Sequence, residues 1–415
     1  MTKIAMICPP LEGHLNPMKS IAYLLLEKGI EPVFIGIIDA SDKVNDFEHI
    51  IIGKQVFPRG SLELVLREIT RSRGFKMGRV WQKKFLHNWS KVVCKELPTV
   101  LERNNIDLMV IDQLDPASAL VADKCKIKFI TACNAMAIVL HRDIPLFFTS
   151  YDYTEKPSYI RHIWEKWMLI FTNLILKKDT KILNKYRKKW NMEKRIGMNR
   201  YFAMSKIATF SQQSPLLEFP LTDINKNWAY CGPIRNTQTT NYDLPVVPKD
   251  DIKNVYISLG SIQGSRLDLL METAKNCKEM GLRPIIAHAG RLDKNHIQDL
   301  EKYALVFDYI KQPEIFEICD FLISHCGLNT VLDALSFGRP IIAIPLGIEQ
   351  AAIATKITRT GSGIMLKRFS RKNIQKAIIE ITSNLEYSLN AKRIQKDIEL
   401  SGGAKRAANI ILKNL

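Results

Sequence analysis

The chain has 415 residues, 46% hydrophobic and 25% charged, which is enough for two domains with full cores and too apolar for a disordered polymer. Its eight cysteines lie scattered, with no Cys-x-x-Cys pair and no Cys/His cluster at zinc spacing; they read as free thiols in a reducing, cytoplasmic setting. The formal charge of +18 comes without a zinc finger or RNP-like aromatic strand, so nucleic acid is not an expected partner, and no run approaches the ~20 apolar residues of a membrane-spanning helix.

Residues 4–8 are a short apolar run, too short for a signal-peptide core, and predict the first β-strand. It ends in Pro9-Pro10-Leu11-Glu12-Gly13-His14-Leu15-Asn16-Pro17. Asn16 and Pro17 read as the N-cap and first residue of a helix over 16–28, and Gly13 as an unusual turn before it. His14 is then held in a loop at the carboxyl end of a strand, where open α/β sheets bind ligands. A near-neutral imidazole at that position can act as a general base. Further strands are expected at 32–38, 108–111, 129–132 and 207–211, with helices at 61–72, 80–104 and 116–124. Asp112 closes the strand 108–111 and is placed to face His14 across the strand ends, holding its tautomer. Asp115, just before Pro116, reads instead as a helix cap.

Between positions 156 and 200 stand thirteen Lys/Arg, opposed only by Glu165, Asp179 and Glu193 and interleaved with Trp164, Trp167, Met168, Ile170, Phe171 and Leu174. This fits a helix lying on an anionic membrane surface, which would make the protein peripheral on the inner face of a membrane. It fits equally a helix packed on its own domain with its lysines outside. The stretch 231–251 is rich in Gly, Pro and polar residues and reads as the natural linker. The division that follows is a first domain over 1–234, a linker over 235–251, a second domain over 252–400 and a terminal helix over 401–415.

In the second half strands are expected at 254–259, 283–288, 304–307, 321–324 and 340–344, with helices at 267–280, 314–318, 329–337 and 350–358. Alternating strands and helices in both halves imply an α/β fold with parallel sheets. The densest segment is His325-Cys326-Gly327-Leu328-Asn329-Thr330, continuing through Asp333 to Pro340, then a strand, then Glu349-Gln350. It reads as strand, tight turn at Gly327 and helix start at Asn329 or Thr330. A helix N-terminus behind a glycine turn offers free N–H groups to a phosphate. His325 adds a donor, Asp333 can accept from a ribose, and Glu349 and Gln350 can hold sugar hydroxyls. No Asp-x-Asp stands at a strand end to hold Mg²⁺, and no Gly-x-Gly-x-x-Gly marks a dinucleotide site.

This segment resembles the donor signature of UDP-dependent glycosyltransferases, the family-1 type with the GT-B fold. It departs from that signature at Asp333, where Glu is usual, and at Glu349, where Asp is commoner. The Gly13-His14-Leu15-Asn16-Pro17 string resembles the same family's N-terminal motif. The resemblance implies two Rossmann-like domains with parallel sheets facing across a cleft, and a last helix that crosses back to the first domain. It also implies catalysis by His14 and Asp112, and a donor phosphate site at Ser261, His325, Gly327, Asn329 and Thr330. Tyr309, Gln312 and Asp333 would hold the base and ribose, and Glu349 and Gln350 the sugar. The donor would be a UDP-sugar, glucose first because of Gln350, acting as co-substrate with neither cofactor nor metal.

The segments Asp112-Gln113-Leu114, Ala132-Cys133-Asn134-Ala135, Phe210-Ser211-Gln212 and 228–233 are similar to those of bacterial zeaxanthin glucosyltransferases. That similarity implies a lipophilic hydroxylated acceptor such as a carotenoid. A macrolide, polyphenol, sterol or lipid acceptor is the alternative within the class, and a GT-B nucleotide-sugar epimerase the alternative outside it.

Overall fold

The computed structural model describes residues 2–72, 75–138, 159–195, 202–218, 227–235, 247–248 and 250–415; at 75, 159–162, 164–165, 168, 261–262 and 348 only the backbone is described. The first sheet contains β1 (Lys3–Ile7), β2 (Glu31–Gly36), β3 (Glu48–Ile51), β4 (Leu108–Asp112), β5 (Lys128–Cys133), β6 (Thr209–Ser211) and β7 (Trp228–Tyr230). The second contains β8 (Asn254–Ser258), β9 (Arg283–Ala287), β10 (Leu305–Phe307), β11 (Phe321–Ser324), β12 (Ile341–Ala343) and β13 (Gly363–Met365). All pairings are parallel, in the orders β3-β2-β1-β4-β5-β6-β7 and β10-β9-β8-β11-β12-β13. β3, β7 and β13 lie outside the sequence expectation. All three are edge strands of three or four residues, too short to give a periodic signal of their own.

Central strands are buried on both faces, and alternate residues feed opposite cores. Ala5 and Ile7 join one hydrophobic cluster, Ile4 and Met6 another. In the second domain Tyr256 faces one core while Val255 and Ile257 face the other. The chain order reverses between β1 and β4, and again between β8 and β11. These are the topological switch points where doubly wound sheets open a crevice at their carboxyl ends. Ile7 pairs with Ile111, and Ser324 with Ser258, so each crevice opens immediately above a pair of named residues.

Two local expectations change. The helix after β1 runs Glu12–Leu26, with Leu11 at its N-cap and Pro17 inside it; Asn16 is not the cap. His14 therefore stands in the first helical turn, not in a loop. Because Pro17 has no N–H, the Gly13 carbonyl four residues back lacks an intrahelical partner. At the second crevice the residue in left-handed conformation is Cys326, with φ 65°, while Gly327 is an ordinary extended N-cap.

The basic segment is a helix, Tyr159–Lys189. Its C-terminal half packs on the first domain through Leu183 and the buried Asp179 and Arg187. Asp179 lies 2.9 Å from His87 Nε2 and accepts from Gln82 on a π-helical turn, Gln82–Leu86. The linker expected at 235–251 falls mostly outside the described residues. The last helix, Gly403–Leu412, buries Ala404, Ala407, Ala408 and Ile411 beside Met18, Ile21, Ala22 and Leu25 of the first domain.

Candidate active site

Asp112 is the last residue of β4 and is fully buried, so its carboxylate must be satisfied by the protein. Three groups do this. His14 Nδ1 lies 2.8 Å from Oδ2, Asn134 Nδ2 donates to Oδ2 at 2.8 Å, and the Leu114 N–H donates to Oδ1 at 2.9 Å. Fixing Nδ1 on a carboxylate puts the proton there and leaves Nε2 as the basic nitrogen. Burial acts to lower the His14 pKa, but the Asp112 charge and hydrogen bond, with a smaller contribution from Glu349, carry it above its ordinary value. Asp115 has other work. It caps the helix Pro116–Cys125 through the Ser118 N–H at 3.0 Å and takes the Trp89 indole at 2.9 Å.

On the opposite side, β11 ends at Ser324 and the helix Leu328–Ser336 begins after Gly327. The Val331 N–H bonds the Gly327 carbonyl at 3.1 Å, so the N–H groups of Leu328, Asn329 and Thr330 precede the helical ladder and present a partial positive charge. The His325 ring is gripped between two glycines. A Cβ on Gly260 would come within 2.6 Å of it, and one on Gly327 within 2.7 Å; Gly260 also has φ +72°. Burial pushes the His325 pKa down to about 4, against a hydrogen bond to the Ser258 backbone. At neutral pH it is an uncharged donor, bracketing β8 and β11. Gln312 Nε2 reaches Thr330 Oγ1 at 3.4 Å.

Asp333 is one turn along this helix, and its Oδ1 accepts from Arg235 Nε at 2.6 Å. Gln350 Oε1 accepts from the Leu346 and Gly347 N–H groups at 2.8 and 2.6 Å, the side-chain half of a capping box. Its carbonyl end is therefore engaged in shaping the turn that presents Glu349. Tyr309 is 53% exposed and donates to the Ala289 carbonyl at 3.1 Å, lying against Gly290. Ser261 falls in the short helix Gly260–Gln263, and its side chain lies outside the described residues.

The two crevices meet. Glu349 of the second domain is close enough to couple with His14 and Asp112; burial and the Asp112 charge raise its pKa, and His14 lowers it. Asn329 Nδ2 donates to the Gly13 carbonyl at 3.0 Å, the group that Pro17 leaves free. Beside the cleft, buried Lys356 binds Glu218 at 2.5 Å and Gln213 at 2.6 Å, and Arg291 reaches Glu63 at 3.3 Å. Asn134, Gln212 and Arg235 complete the site, and none of them is among the site residues expected from the sequence. Asn134 and Gln212 do directly follow strands β5 and β6, as His325 follows β11, and that position is the signal that marks them.

The two parallel-sheet domains and their facing crevices have the GT-B architecture, and similarity to known glycosyltransferases marks the protein as a transferase of that class. Residues 254–408 match the glycosyltransferase family 28 C-terminal domain. The whole chain is similar to the zeaxanthin glucosyltransferase of Pantoea ananas, 26% identical over 99% of this chain and 95% of that protein. Its fold is similar to that of the glycotransferase of kitacinnamycin, with TM-score 0.77 and 15% identity, covering 100% of this chain and 99% of the other. A glycosyltransferase of Streptomyces sp. SF2575 solved with thymidine diphosphate is also similar, with TM-score 0.65 and 15% identity over the full length of both chains.

Proposed function

We propose that the protein is an inverting transferase moving a hexose, glucose first, from a UDP-sugar to a hydroxyl of a lipophilic acceptor of the carotenoid class. The observation that carries this reading is the buried His14–Asp112 pair facing the N-terminus of Leu328–Ser336 across the cleft. The acceptor O–H proton passes to His14 Nε2 while its oxygen attacks the anomeric carbon. The bond to the nucleotide's terminal phosphate oxygen breaks on the far face, and the electron pair leaves with the diphosphate. Asp112 stabilises the imidazolium. The N–H groups at 328–330 meet the charge that grows on the leaving phosphate, a role usually worth more than any other single term. Asp333 and Gln312 serve the ribose and base, Tyr309 offers a π-face to the uracil, and Glu349 and Gln350 serve the sugar. Neither a metal nor a cofactor enters any of these steps.

The acceptor class finds support in the full-length similarity to a zeaxanthin glucosyltransferase and in the surface of the helix Tyr159–Lys189. Ile163, Trp167, Ile170 and Leu174 form an exposed stripe at helical spacing, with Trp167 64% and Leu174 61% exposed. The same stripe continues through exposed Lys177, Lys181, Lys185 and Lys188. Apolar first and cationic after, it suits the acyl and phosphate layers of an anionic membrane on the cytoplasmic side. The deciding experiment is incubation with UDP-glucose and zeaxanthin, or a carotenoid-bearing lipid extract, followed by mass analysis. A hexose addition that depends on His14 is the expected result. Transfer only from a TDP-sugar, or only to soluble phenols or macrolides, would replace the donor or the acceptor in this reading.

A further inference from the structure

We infer that Arg235 is a positioning residue, a clasp that registers the donor-binding helix against the base pair His14–Asp112. The inference rests on the proposed reading of the site. The guanidinium touches both domains. Nε donates to Asp333 Oδ1 at 2.6 Å, and Nη2 to the Asn329 carbonyl and Oδ1 at 3.2 and 3.3 Å; Nη1 donates to Gln212 Oε1 at 2.7 Å. From these contacts two routes run to the same histidine. One passes from Gln212 Nε2 to the Asn134 carbonyl at 2.5 Å, from Asn134 Nδ2 to Asp112 at 2.8 Å, and so to His14. The other passes through Asn329 Nδ2 to the Gly13 carbonyl at 3.0 Å, one residue before His14.

The bonds form a closed ring, and Arg235 is the member with a contact on every side. A planar fork with five donors can span these four acceptors on three residues at once, whereas a lysine's three donors radiate from one point. Pro17 is the ring's second device, because it denies the Gly13 carbonyl its helical partner and so leaves it for Asn329. Asn329 in turn has both ends of its amide engaged, one by Gly13 and one by Arg235. The clasp leaves Asp333 Oδ2 for the ribose. It acts on the distance between the sugar's anomeric carbon and His14, to which transfer is steeply sensitive.

The test compares Arg235→Met, Arg235→Lys and Pro17→Ala in the full-length protein, reading turnover with saturating substrates, UDP affinity by calorimetry, and the thermal midpoint. Arg235→Met should lower kcat by about 10–100-fold and weaken UDP binding by much less than that, because Arg235 reaches only Asp333 and Asn329 of the cradle and the helix N–H groups at 328–330 stay in place. Arg235→Lys should recover part of the lost turnover. Pro17→Ala restores an N–H that competes for the Gly13 carbonyl. It should lower kcat by about 3–10-fold while the thermal midpoint holds or rises, a slowing that misfolding cannot explain. A loss of UDP affinity in Arg235→Met as large as the loss of turnover would overturn the inference, and so would unchanged turnover in Pro17→Ala. Failure of the site reading itself shows elsewhere, as transfer that survives His14→Ala.

Discussion

The two halves of the cleft are built on separate parallel sheets of the same doubly wound kind and solve different problems. The donor side is made mainly of backbone. A left-handed Cys326, an extended Gly327 and a helix N-terminus create the positive end of a dipole within a few consecutive residues. The base side is made of side chains from distant parts of the chain, with His14, Asp112 and Asn134 brought together above β1, β4 and β5. A diphosphate needs a fixed field, which one strand–turn–helix unit can supply. A proton transfer needs a tuned pKa, which requires a charge brought next to a buried ring.

If this division is right, damage on the two sides should differ in kind. His14→Ala removes the base and should slow transfer by about 10³-fold or more, with UDP affinity near that of the wild type. Parallel loss of UDP binding would break the comparison. Asp112→Asn should cost about 10²-fold or more and also change the pH profile. The reaction requires neutral His14, and the paired histidine has its pKa above the ordinary value of about 6.5. The rate of the native enzyme should therefore rise with pH through a midpoint above that value. Without the Asp112 charge, burial dominates, and the midpoint should move down. An unmoved midpoint would mean that another group titrates.

On the donor side the reverse pattern is expected. A methyl at Gly327 meets His325 Nε2 at 2.7 Å, so Gly327→Ala must push the ring against Gly260. Overpacking of this kind costs about 1–3 kcal/mol, so UDP affinity should fall about 10-fold while the pH midpoint stays in place. A shifted midpoint with intact UDP binding would mean that His325 belongs to the base side.

The effect smallest for catalysis concerns neither crevice. Trp167→Ser with Leu174→Ser removes the centre of the exposed stripe and should reduce binding to anionic liposomes about 10-fold. Native binding should weaken as salt screens the lysines, and turnover on a soluble acceptor should be unchanged. Equal binding to neutral and anionic liposomes would return the helix to the role of an ordinary domain surface. Its inner face already serves one, through the buried Asp179 and Leu183.

Much of this was legible before any fold was known. The run from His325 to Gln350 keeps its spacing because each residue answers to the same local turn. Asp112 and Asp115 could be told apart because Pro116 marks the second as a cap, and the structure places them so. Gln350 was legible as part of the motif, and its carbonyl also holds the turn at Gly347. The start of the first helix was misplaced because Asn16-Pro17 has the form of a cap. Here the proline tolerates an interior position because the carbonyl it orphans finds Asn329.

The sequence alone determined the alternating α/β pattern, the run from His325 to Gln350 and the place of His14, the residue proposed as base, since these depend on short-range periodicity and turn chemistry. Only the tertiary structure decided which residues complete the site. Arg235 has no local signature, and Gln212 and Asn134 have only their places after strands; the meaning of all three comes from the acceptors that the packing of two sheets brings within hydrogen-bond reach. The same holds for the charge state of His14 and His325. Each is a histidine following a strand, yet one is held above its ordinary pKa and the other far below it. The physical reason is that burial acts on both, and only the fold puts a carboxylate beside one of them.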